Sequence, residues 1–298
     1  MTRINKPSIP TLGNAELQGD IYYVDGNMVN DGGDGKSWAS AWKSLNTAMA
    51  ASNADIARSA DRQWAARNTI YVKGDTITED QTILASKCDI IGVGSYDANS
   101  RPGITGSWII PDTVNYMGCR FYNMYFVDTG ATALMDIDSQ TGLQFHNCHF
   151  ESGEDGLTTI GLQIEESSFL VIDNCEFGCV SATPGFSTAA IQIVQDTDPI
   201  YDCKITNCRI LTSGIGIDWN ETQSYNCWIT DNYIYATGLP IDCESDNVFV
   251  VNNRMMTAVD CDTYAVDTGF DFALNCAAGN ILMGSGVGAV ANEVPPIE

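Results

Sequence analysis

Residues 144–150 read QFHNCHF, and the core of this stretch returns in altered form along most of the chain. The related segments are YNMYF (122–126), HNCHF (146–150), DNCEF (173–177), TNCRI (206–210), TDNYI (230–234), VNNRM (251–255) and AGNIL (278–282). Their third residues are separated by 24, 27, 33, 24, 21 and 27 positions, and they are Met124, Cys148, Cys175, Cys208, Asn232, Asn253 and Asn280. Internal periods in the twenties predict a solenoid.

A second short run precedes most of these segments and alternates apolar with other residues. The runs are ALMDID (133–138), IGLQIE (160–165), AAIQIV (189–194), GIGIDW (214–219), GLPIDC (238–243) and YAVDTG (264–269). Alternation at period two predicts strands, and nothing between the runs has the length of a crossover helix. The compact arrangement of such strands is a stack of coils, which is a parallel β-helix.

Equivalent residues of a parallel β-helix lie about 4.8 Å apart along the stack. We therefore expect buried Asn amides to hydrogen-bond to one another and to turn backbone, and Cys residues to stack as core filler. The predicted structural ladder is Asn147, Cys148, Asn174, Cys175, Asn207, Cys208, Asn232 and Asn253. If QFHNCHF is one strand, His146 and Cys148 share a face that His149 does not, which disfavours a zinc site.

Composition limits the function classes. The 298 residues carry 14 Lys and Arg against 38 Asp and Glu, a formal net charge of −24, which disfavours binding to nucleic acid or to anionic membranes. No apolar run has the length of a secretory signal or of a membrane span. Eleven cysteines, an odd number, cannot all pair within one chain, and we expect free, buried thiols in a reducing compartment.

The N-terminal part has a different pattern. It reads as a strand (IYYVDG, 21–26), a Gly-rich turn within NDGGDGKS (30–37), a helix (WASAWKSLNTAMAAS, 38–52) and a strand (NTIYVKG, 68–74). An uncovered solenoid end would expose core and unpaired strand edges, so solenoids need a terminal cap. We predict that the helix with Trp38 and Trp42 is this cap.

The segment YYVDGNMVNDGGDGKSWASAWKSLNTAMAAS followed by NTIYVKGDTI resembles the entry segment of right-handed parallel β-helix repeat proteins of the pectate-lyase-like superfamily. The resemblance covers residues 20–75, and the later repeats extend it to about residue 282. It implies a right-handed parallel β-helix with a cap (20–75) and the solenoid (76–282). Residues 1–19 and 283–298 show no usable period, and we predict that they are an N-terminal and a C-terminal arm. The superfamily includes polysaccharide lyases and hydrolases as well as bacteriophage tailspikes and other virion proteins.

Carboxylates supply the candidate chemistry. In the second run, Asp138, Glu165, Asp218, Asp242 and Asp267 each follow an apolar residue, and Val194 interrupts the series. Carboxylates one or two coils apart have the spacing of a glycosidase acid and base, and they also suit Ca²⁺. The candidate catalytic residues are therefore Asp218, Asp242 and Glu165, and the candidate calcium ligands are Asp218 and Asp242. The alternative is that all are solvated turn residues.

Aromatic and basic residues supply the other candidates. Trp219, Trp228 and Tyr233 lie in two adjoining repeats and predict a glycan-facing patch, to which Tyr225 and Tyr235 could add. Arg209 and Arg254 occupy one repeat position, where Glu176 precedes them, and this favours a cross-strand Glu176–Arg209 pair over a lyase base. The cysteine spacings favour core packing over a metal ribbon.

The expected function is that of a non-enzymatic structural or attachment protein of a phage-like virion, such as a capsid decoration, a fibre or a spike. By resemblance, such proteins form homotrimers and are made in the bacterial cytoplasm, and terminal arms would bind other virion proteins. Two alternatives remain open at this stage. One is a polysaccharide lyase or hydrolase, and the other is a module that binds host surface glycans. Apart from Ca²⁺, no cofactor is expected.

Overall fold

The computed structural model describes residues 18–74, 76–94, 102–127, 130, 132–152, 158–178, 185–194, 198–220, 223–243, 245–257, 266–267, 276–278 and 280–284. Two helices lie near the beginning, α1 (Leu45–Ile56) and α2 (Ala60–Ala65). The strands are β1 (Ile21–Asp25), β2 (Asn68–Lys73), β3 (Ile77–Thr78), β4 (Cys88–Gly92), β5 (Gly103–Thr105), β6 (Trp108–Ile110), β7 (Cys119–Tyr122), β8 (Tyr125–Val127), β9 (Ala133–Asp138), β10 (Gln144–His146), β11 (His149–Glu151), β12 (Ile160–Glu165), β13 (Val171–Asp173), β14 (Glu176–Phe177), β15 (Ala189–Val194), β16 (Ile200–Tyr201), β17 (Lys204–Thr206), β18 (Arg209–Thr212), β19 (Ile215–Trp219), β20 (Gln223–Thr230), β21 (Tyr233–Ala236), β22 (Ile241–Cys243), β23 (Asp246–Val251), β24 (Arg254–Thr257), β25 (Val266–Asp267), β26 (Cys276–Ala278) and β27 (Ile281–Gly284).

These strands form three parallel sheets. Sheet 1 runs β1-β2-β4-β7-β10-β13-β17-β20-β23-β26 with β16 beside β20, sheet 2 runs from β3 to β27 through β5, β8, β11, β14, β18, β21 and β24, and sheet 3 runs β6-β9-β12-β15-β19-β22-β25. Successive coils of the chain add one strand to each sheet, as in the order β10, β11 and β12. The predicted parallel β-helix is confirmed, and the second runs of the sequence form sheet 3.

Asparagines make the corner between sheet 1 and sheet 2. Asn147, Asn174 and Asn207 have φ values of 54°, 54° and 55°, in the left-handed region that Asn tolerates better than other non-glycine residues. Asn174 Nδ2 donates to Asn147 Oδ1 at 3.4 Å, and Asn207 Nδ2 donates to Asp173 Oδ1 at 3.1 Å. These three side chains lie at the surface or are half-buried. The expectation that they are buried is therefore wrong, because the corner turns them outward.

The residue after each corner points into the core and forms the inner ladder, which consists of Cys148, Cys175, Cys208, Asn232, Asn253 and Asn280. Asn232 N and Nδ2 both donate to Asn253 Oδ1, each at 3.0 Å, and Cys208 N donates to Asn232 Oδ1 at 2.9 Å. A thiol takes the same role where Cys148 N donates to Cys175 Sγ at 3.4 Å. Cys and Asn are interchangeable here because each can both accept and donate.

The inward side chains of the three sheets fill a continuous core. Large rings stack from coil to coil, with centroids 5.2 Å apart for Phe126 and Phe150 and 4.4 Å apart for Phe150 and Phe177. The eight cysteines from Cys88 to Cys243 whose side chains the structure describes are free and buried. Core packing was the predicted role of the cysteines, and the thiols of Cys203 and Cys208 have it.

The helix of the cap begins later than predicted, at Leu45 and not at Trp38. Trp38–Ser40 is a short 3-10 turn, and α1 begins only at Leu45 because Ser44 caps it, its side chain accepting from Thr47 N at 3.1 Å. Glu79 of the first coil accepts from Leu45 N at 2.7 Å and from the Ser44 hydroxyl at 2.7 Å. Negative charge at a helix N-terminus is stabilising. The cap and the first coil are therefore joined through one carboxylate.

The carboxylates of the Gly-rich turn accept hydrogen bonds from nearby backbone N–H groups. Asp31 accepts from Lys43 N at 2.6 Å and from Ser44 N at 2.8 Å, and Asp34 accepts from Lys36 N at 3.0 Å. The loop therefore holds the approach to α1, and the interpretation as a turn is confirmed. The segment around Trp42 pairs with Val24 and covers the outer edge of β1.

A buried ion pair joins the two helices. Arg62 of α2 is 1% exposed, donates to the Asp55 carboxylate and also donates through Nη1 to Gln18 O at 2.9 Å. Burial acts to raise the pKa of Asp55, but hydrogen bonds from Arg62 and Asn68 and the charge of Arg62 outweigh it. The pKa of Asp55 therefore lies below its ordinary value of 3.8.

The predicted arms, 1–19 and 283–298, lie outside the described residues except at 18–19 and 283–284. Neither helix of the described part is long and apolar enough to cross a membrane.

Candidate functional site

The candidate carboxylates lie on the outward face of sheet 3, but in two rows. One row contains Asp138 and Glu165, followed by Val194. The other contains Asp136, Gln163, Gln192, Asp218 and Asp242, and the backbone register continues from Asp242 to Asp267. The sequence predicted a single row from Asp138 to Asp267, and this is wrong. Asp218 aligns through Gln192 and Gln163 with Asp136, two residues before Asp138.

Trp219 causes the slip. In GIGIDW an aromatic residue follows the aspartate, and Trp219 pairs with the inward-pointing Ile193, so Asp218 pairs with Gln192. The predicted alignment used the end of each apolar run, but these runs end at different points in different repeats. The true alignment is set by the backbone pairing between strands. Glu165 is thereby two coils away from Asp218 and in the neighbouring row. Of the three catalytic candidates, only Asp218 and Asp242 are adjacent.

Amide side chains bind these carboxylates. Gln192 Nε2 donates to Asp218 Oδ2 at 2.7 Å, and Gln163 Nε2 donates to Asp136 Oδ1 at 3.2 Å and to Glu165 Oε1 at 3.1 Å. Burial, and then the charge of Asp138, raise the pKa of Asp136. The face is therefore a ladder of carboxylates and amides that satisfy one another.

A pocket lies elsewhere on the molecule. It has a volume of about 430 Å³ and lies between the helices of the cap and the residues before β7, with Ile56, Trp64, Lys87, Tyr116 and Met117 in its lining. Asp218 is on β19, four strands along sheet 3 from β6. The carboxylates thus lie on an open sheet face and not in this pocket.

The predicted aromatic patch does not form. Trp219 is 0% exposed and belongs to the core, where its Nε1 donates to Ser224 Oγ at 2.9 Å. Trp228 is on the outward face of sheet 1, whereas Tyr233 is on sheet 2 with 37% of its surface exposed. The three residues are close in sequence, but one lies in the core and the other two lie on different faces. The chain turns a corner between Trp228 and Tyr233.

Structure adds Tyr201 and Phe249 to the surface aromatics. Trp228 stacks on Phe249 with centroids 4.3 Å apart and planes 20° apart, and Tyr201 stacks on Tyr225 at 5.2 Å and 14°. The repeat spacing could have identified both, since Tyr201 precedes Tyr225 by 24 residues and Phe249 follows Trp228 by 21. Each such pair covers one face of each ring, which leaves less ring face for stacking on a sugar.

QFHNCHF itself is two strands. β10 ends at His146, Asn147 turns the corner, and β11 begins at His149, so the assumption of one strand was wrong. His146 Nδ1 lies 3.6 Å from Asp173 on sheet 1, and His149 Nδ1 lies 3.2 Å from Glu176 Oε2 on sheet 2. No three His, Cys, Asp or Glu side chains of the described residues gather as metal ligands.

Sheet 2 carries the remaining charged row. Its outward residues are, in order, Tyr125, His149, Glu176, Arg209, Tyr233 and Arg254. Arg209 Nη1 is 3.7 Å from Glu176 Oε1, which confirms the predicted cross-strand pair. Arg254 is exposed, and no carboxylate of the described residues pairs with it.

These features define an all-β parallel β-helix whose three faces carry ladders of side chains. No protein-family model and no curated protein matches the chain. Among solved structures, the chain is similar to Geobacillus virus E2 ORF18, with a TM-score of 0.41 and 12% identity. The similarity covers 73% of this chain and 53% of that protein, so the chain spans about half of its length. At this identity no residue role is transferred.

Proposed function

We propose that the protein is a non-enzymatic structural or attachment component of a phage-like virion, such as a capsid decoration, a fibre or a spike. The observation that carries the structural role is that outward side chains bind or stack on their neighbours along three sheet faces. Gln192 holds Asp218, Phe249 stacks on Trp228, and Glu176 pairs with Arg209. Such ladders stiffen a scaffold.

The virion part of the proposal rests on the resemblance to the β-helix repeat superfamily, which includes virion proteins, and on the acidic composition, which is similar to that of phage virion components. In this role the solenoid is a rigid body, and the arms (1–19 and 283–298) anchor it to other virion proteins. Homotrimer formation belongs to the same proposal.

Particles from the source culture, purified on a density gradient, provide the test. The protein should migrate with intact particles in a fixed number of copies per particle, measured by mass spectrometry with the major capsid protein as internal standard. Deletion of residues 1–17 or 285–298 should release it without unfolding the solenoid. A protein found only in the soluble fraction contradicts the virion role.

The competing proposal is a polysaccharide lyase or hydrolase that uses Asp218 and Asp242, which are register partners on adjacent coils. This enzyme would release reducing ends or unsaturated products from a polysaccharide panel, and Asp218→Asn would abolish the release. Asp173→Asn, a carboxylate of sheet 1, is the matched control. The structural proposal expects no turnover with either protein, and turnover that is lost only in Asp218→Asn overturns it.

The same two aspartates are the proposed calcium ligands. Titration of the full chain with Ca²⁺ in a calorimeter, with Asp218→Asn/Asp242→Asn as the comparison, measures this directly. Heat of binding that the double variant lacks would support the site.

A further inference from the structure

Positive charge is scarce in the later part of the chain and is concentrated on one face. After Arg120 the sequence has 25 acidic residues but only three basic ones, Lys204, Arg209 and Arg254. Arg209 pairs in register with Tyr233, and Tyr233 pairs with Arg254, so the two arginines lie one coil to either side of the tyrosine on sheet 2. We call these three residues the arginine row.

The arginine row is open to an incoming group. The Arg209 side chain pairs with Glu176 and still has 56% of its surface exposed, Tyr233 is 37% exposed and Arg254 is exposed. The next outward row of the same coils is Leu211, Tyr235 and Met256, all half-buried. The face therefore combines charge with apolar surface, the combination that protein interfaces use.

The neighbouring face, sheet 3, has the opposite charge on the same coils. Asp218 and Asp242 are register partners there, both half-buried, and Asp267 continues the register. We call these three the aspartate row. It has carboxylates and amides but no basic side chain among its six register positions, whose members run from Asp136 to Asp267.

The two rows match in height. β18 with Arg209 leads directly into β19 with Asp218, β21 with Tyr233 leads into β22 with Asp242, and β24 with Arg254 leads into β25 with Asp267. Because coils are spaced by about 4.8 Å, the two arginines are about 10 Å apart, as are the first and last aspartates.

We propose that the protein associates with further copies of itself, with the arginine row of one copy against the aspartate row of the next. Rotation about an axis parallel to the solenoid brings the two faces together at equal height, and a head-to-tail interface of this kind closes into a ring when the rotation divides a full turn. The equal height follows from the coil geometry, and it allows one rotation to bring all three register positions together. The association deepens the homotrimer of the proposed function by assigning an interface to it, and it is argued from these two faces and not from the virion role.

Electrostatics would select this pairing over others. A chain of net charge −24 repels its own copies through most of its surface, so the face with exposed arginines is the favoured point of approach. Exposed ion pairs contribute little affinity, and their effect is mainly on partner choice and register. The half-buried Leu211, Tyr235 and Met256 supply apolar area for burial.

Charge reversal in the full-length protein tests the interface by light scattering after size exclusion and by native mass spectrometry. The wild type should be oligomeric at micromolar concentration. Arg209→Glu/Arg254→Glu should raise the dissociation constant by at least about 100-fold, and Asp218→Lys/Asp242→Lys should do the same. The chain with all four substitutions restores opposite charges across the interface and should reassemble.

Lys204→Glu is the control, because it reverses one basic side chain on sheet 1, five residues before Arg209, and should leave assembly unchanged. Raising salt from about 0.1 M to about 1 M shortens the Debye length from about 10 Å to about 3 Å, so it should reduce the difference in dissociation constant between the wild type and the charge-reversed variants. Circular dichroism checks that each variant is folded.

Three outcomes overturn the proposal. They are a wild type that is monomeric at every concentration, an oligomer that both reversals leave intact, and an equal loss of assembly in Lys204→Glu. A monomer that binds polygalacturonate or heparin, with binding lost in Arg209→Glu/Arg254→Glu, would assign the arginine row to an anionic polymer instead.

Discussion

Replacing Asn253 with alanine should destabilise the solenoid strongly, because Asn253 lies in the inner ladder and is 0% exposed. Its Oδ1 accepts from Asn232 N and Asn232 Nδ2, both at 3.0 Å, and its Nδ2 donates to Ile229 O at 2.9 Å. Alanine leaves these groups buried without partners. At about 1–3 kcal/mol for each such group, with partial relaxation, we expect a loss of about 3–5 kcal/mol in the free energy of unfolding.

Two further variants make the experiment specific to the ladder. Asn253→Cys introduces the residue that occupies the same ladder position at Cys208. Because a thiol can both accept and donate, this variant should lose only about 1–2 kcal/mol in the free energy of unfolding. Asn207→Gly removes an amide from the exposed corner, where φ is 55° and glycine is favourable, and should cost less than about 1 kcal/mol.

Urea unfolding followed by far-ultraviolet circular dichroism measures all three variants, and limited proteolysis reports local opening of the later coils. The reasoning is refuted if Asn253→Ala costs less than about 1 kcal/mol. It is also refuted if cysteine stabilises the chain no better than alanine does, because the ladder would then not depend on donors and acceptors.

Three other results are expected. Glu79→Ala removes the carboxylate that caps α1 and should lower the free energy of unfolding by about 1–3 kcal/mol in urea titrations, whereas Glu79→Gln should recover part of the loss. The pKa of Asp55 is lowered, so its contribution to stability is complete above its ordinary value of 3.8 and is lost as the pH falls through the folded-state pKa; tryptophan fluorescence should show the cap loosening in acid, and Asp55→Asn should remove this transition while destabilising the cap at neutral pH. Burial raises the pKa of the thiols of Cys88, Cys119 and Cys175, to about 12 for Cys119, so these thiols should react with a thiol reagent at pH 8 only after denaturation; reaction in the native protein would contradict their placement in the core.

The repeat was sufficient to predict the fold, because the coil length of a solenoid appears as a period in its sequence. Each coil places its inner-ladder residue against the same residue of the next coil, so Cys148, Cys175, Cys208, Asn232 and Asn253 return at the coil length. The start of α1 was not predictable in the same way. Its N-terminus is held by Asp31 and by Glu79, which no local propensity can bring to Leu45.

The surfaces were harder to predict than the core. Alternation indicated that Asp218 faces outward but not which residue it faces, since an apolar run can end in Ile164 or in Trp219. The sequence analysis assigned the Trp219 indole to a surface patch, whereas the structure places it in the core beside Ile193. Proximity in sequence suggested that Trp228 and Tyr233 are neighbours, although a corner separates the two sheets that carry them.

The sequence by itself determined that the chain is a parallel β-helix, which residues return in each coil, and that its surface is strongly acidic. Tertiary structure decided the register of the outward rows, the division of the aromatics among core and faces, and the placement of Arg209 and Arg254 at the height of Asp218 and Asp267. The reason is physical. The period in the sequence reflects the core positions that each coil must fill, whereas the pairing of outward side chains follows from backbone hydrogen bonds between coils that are 20 or more residues apart in the chain.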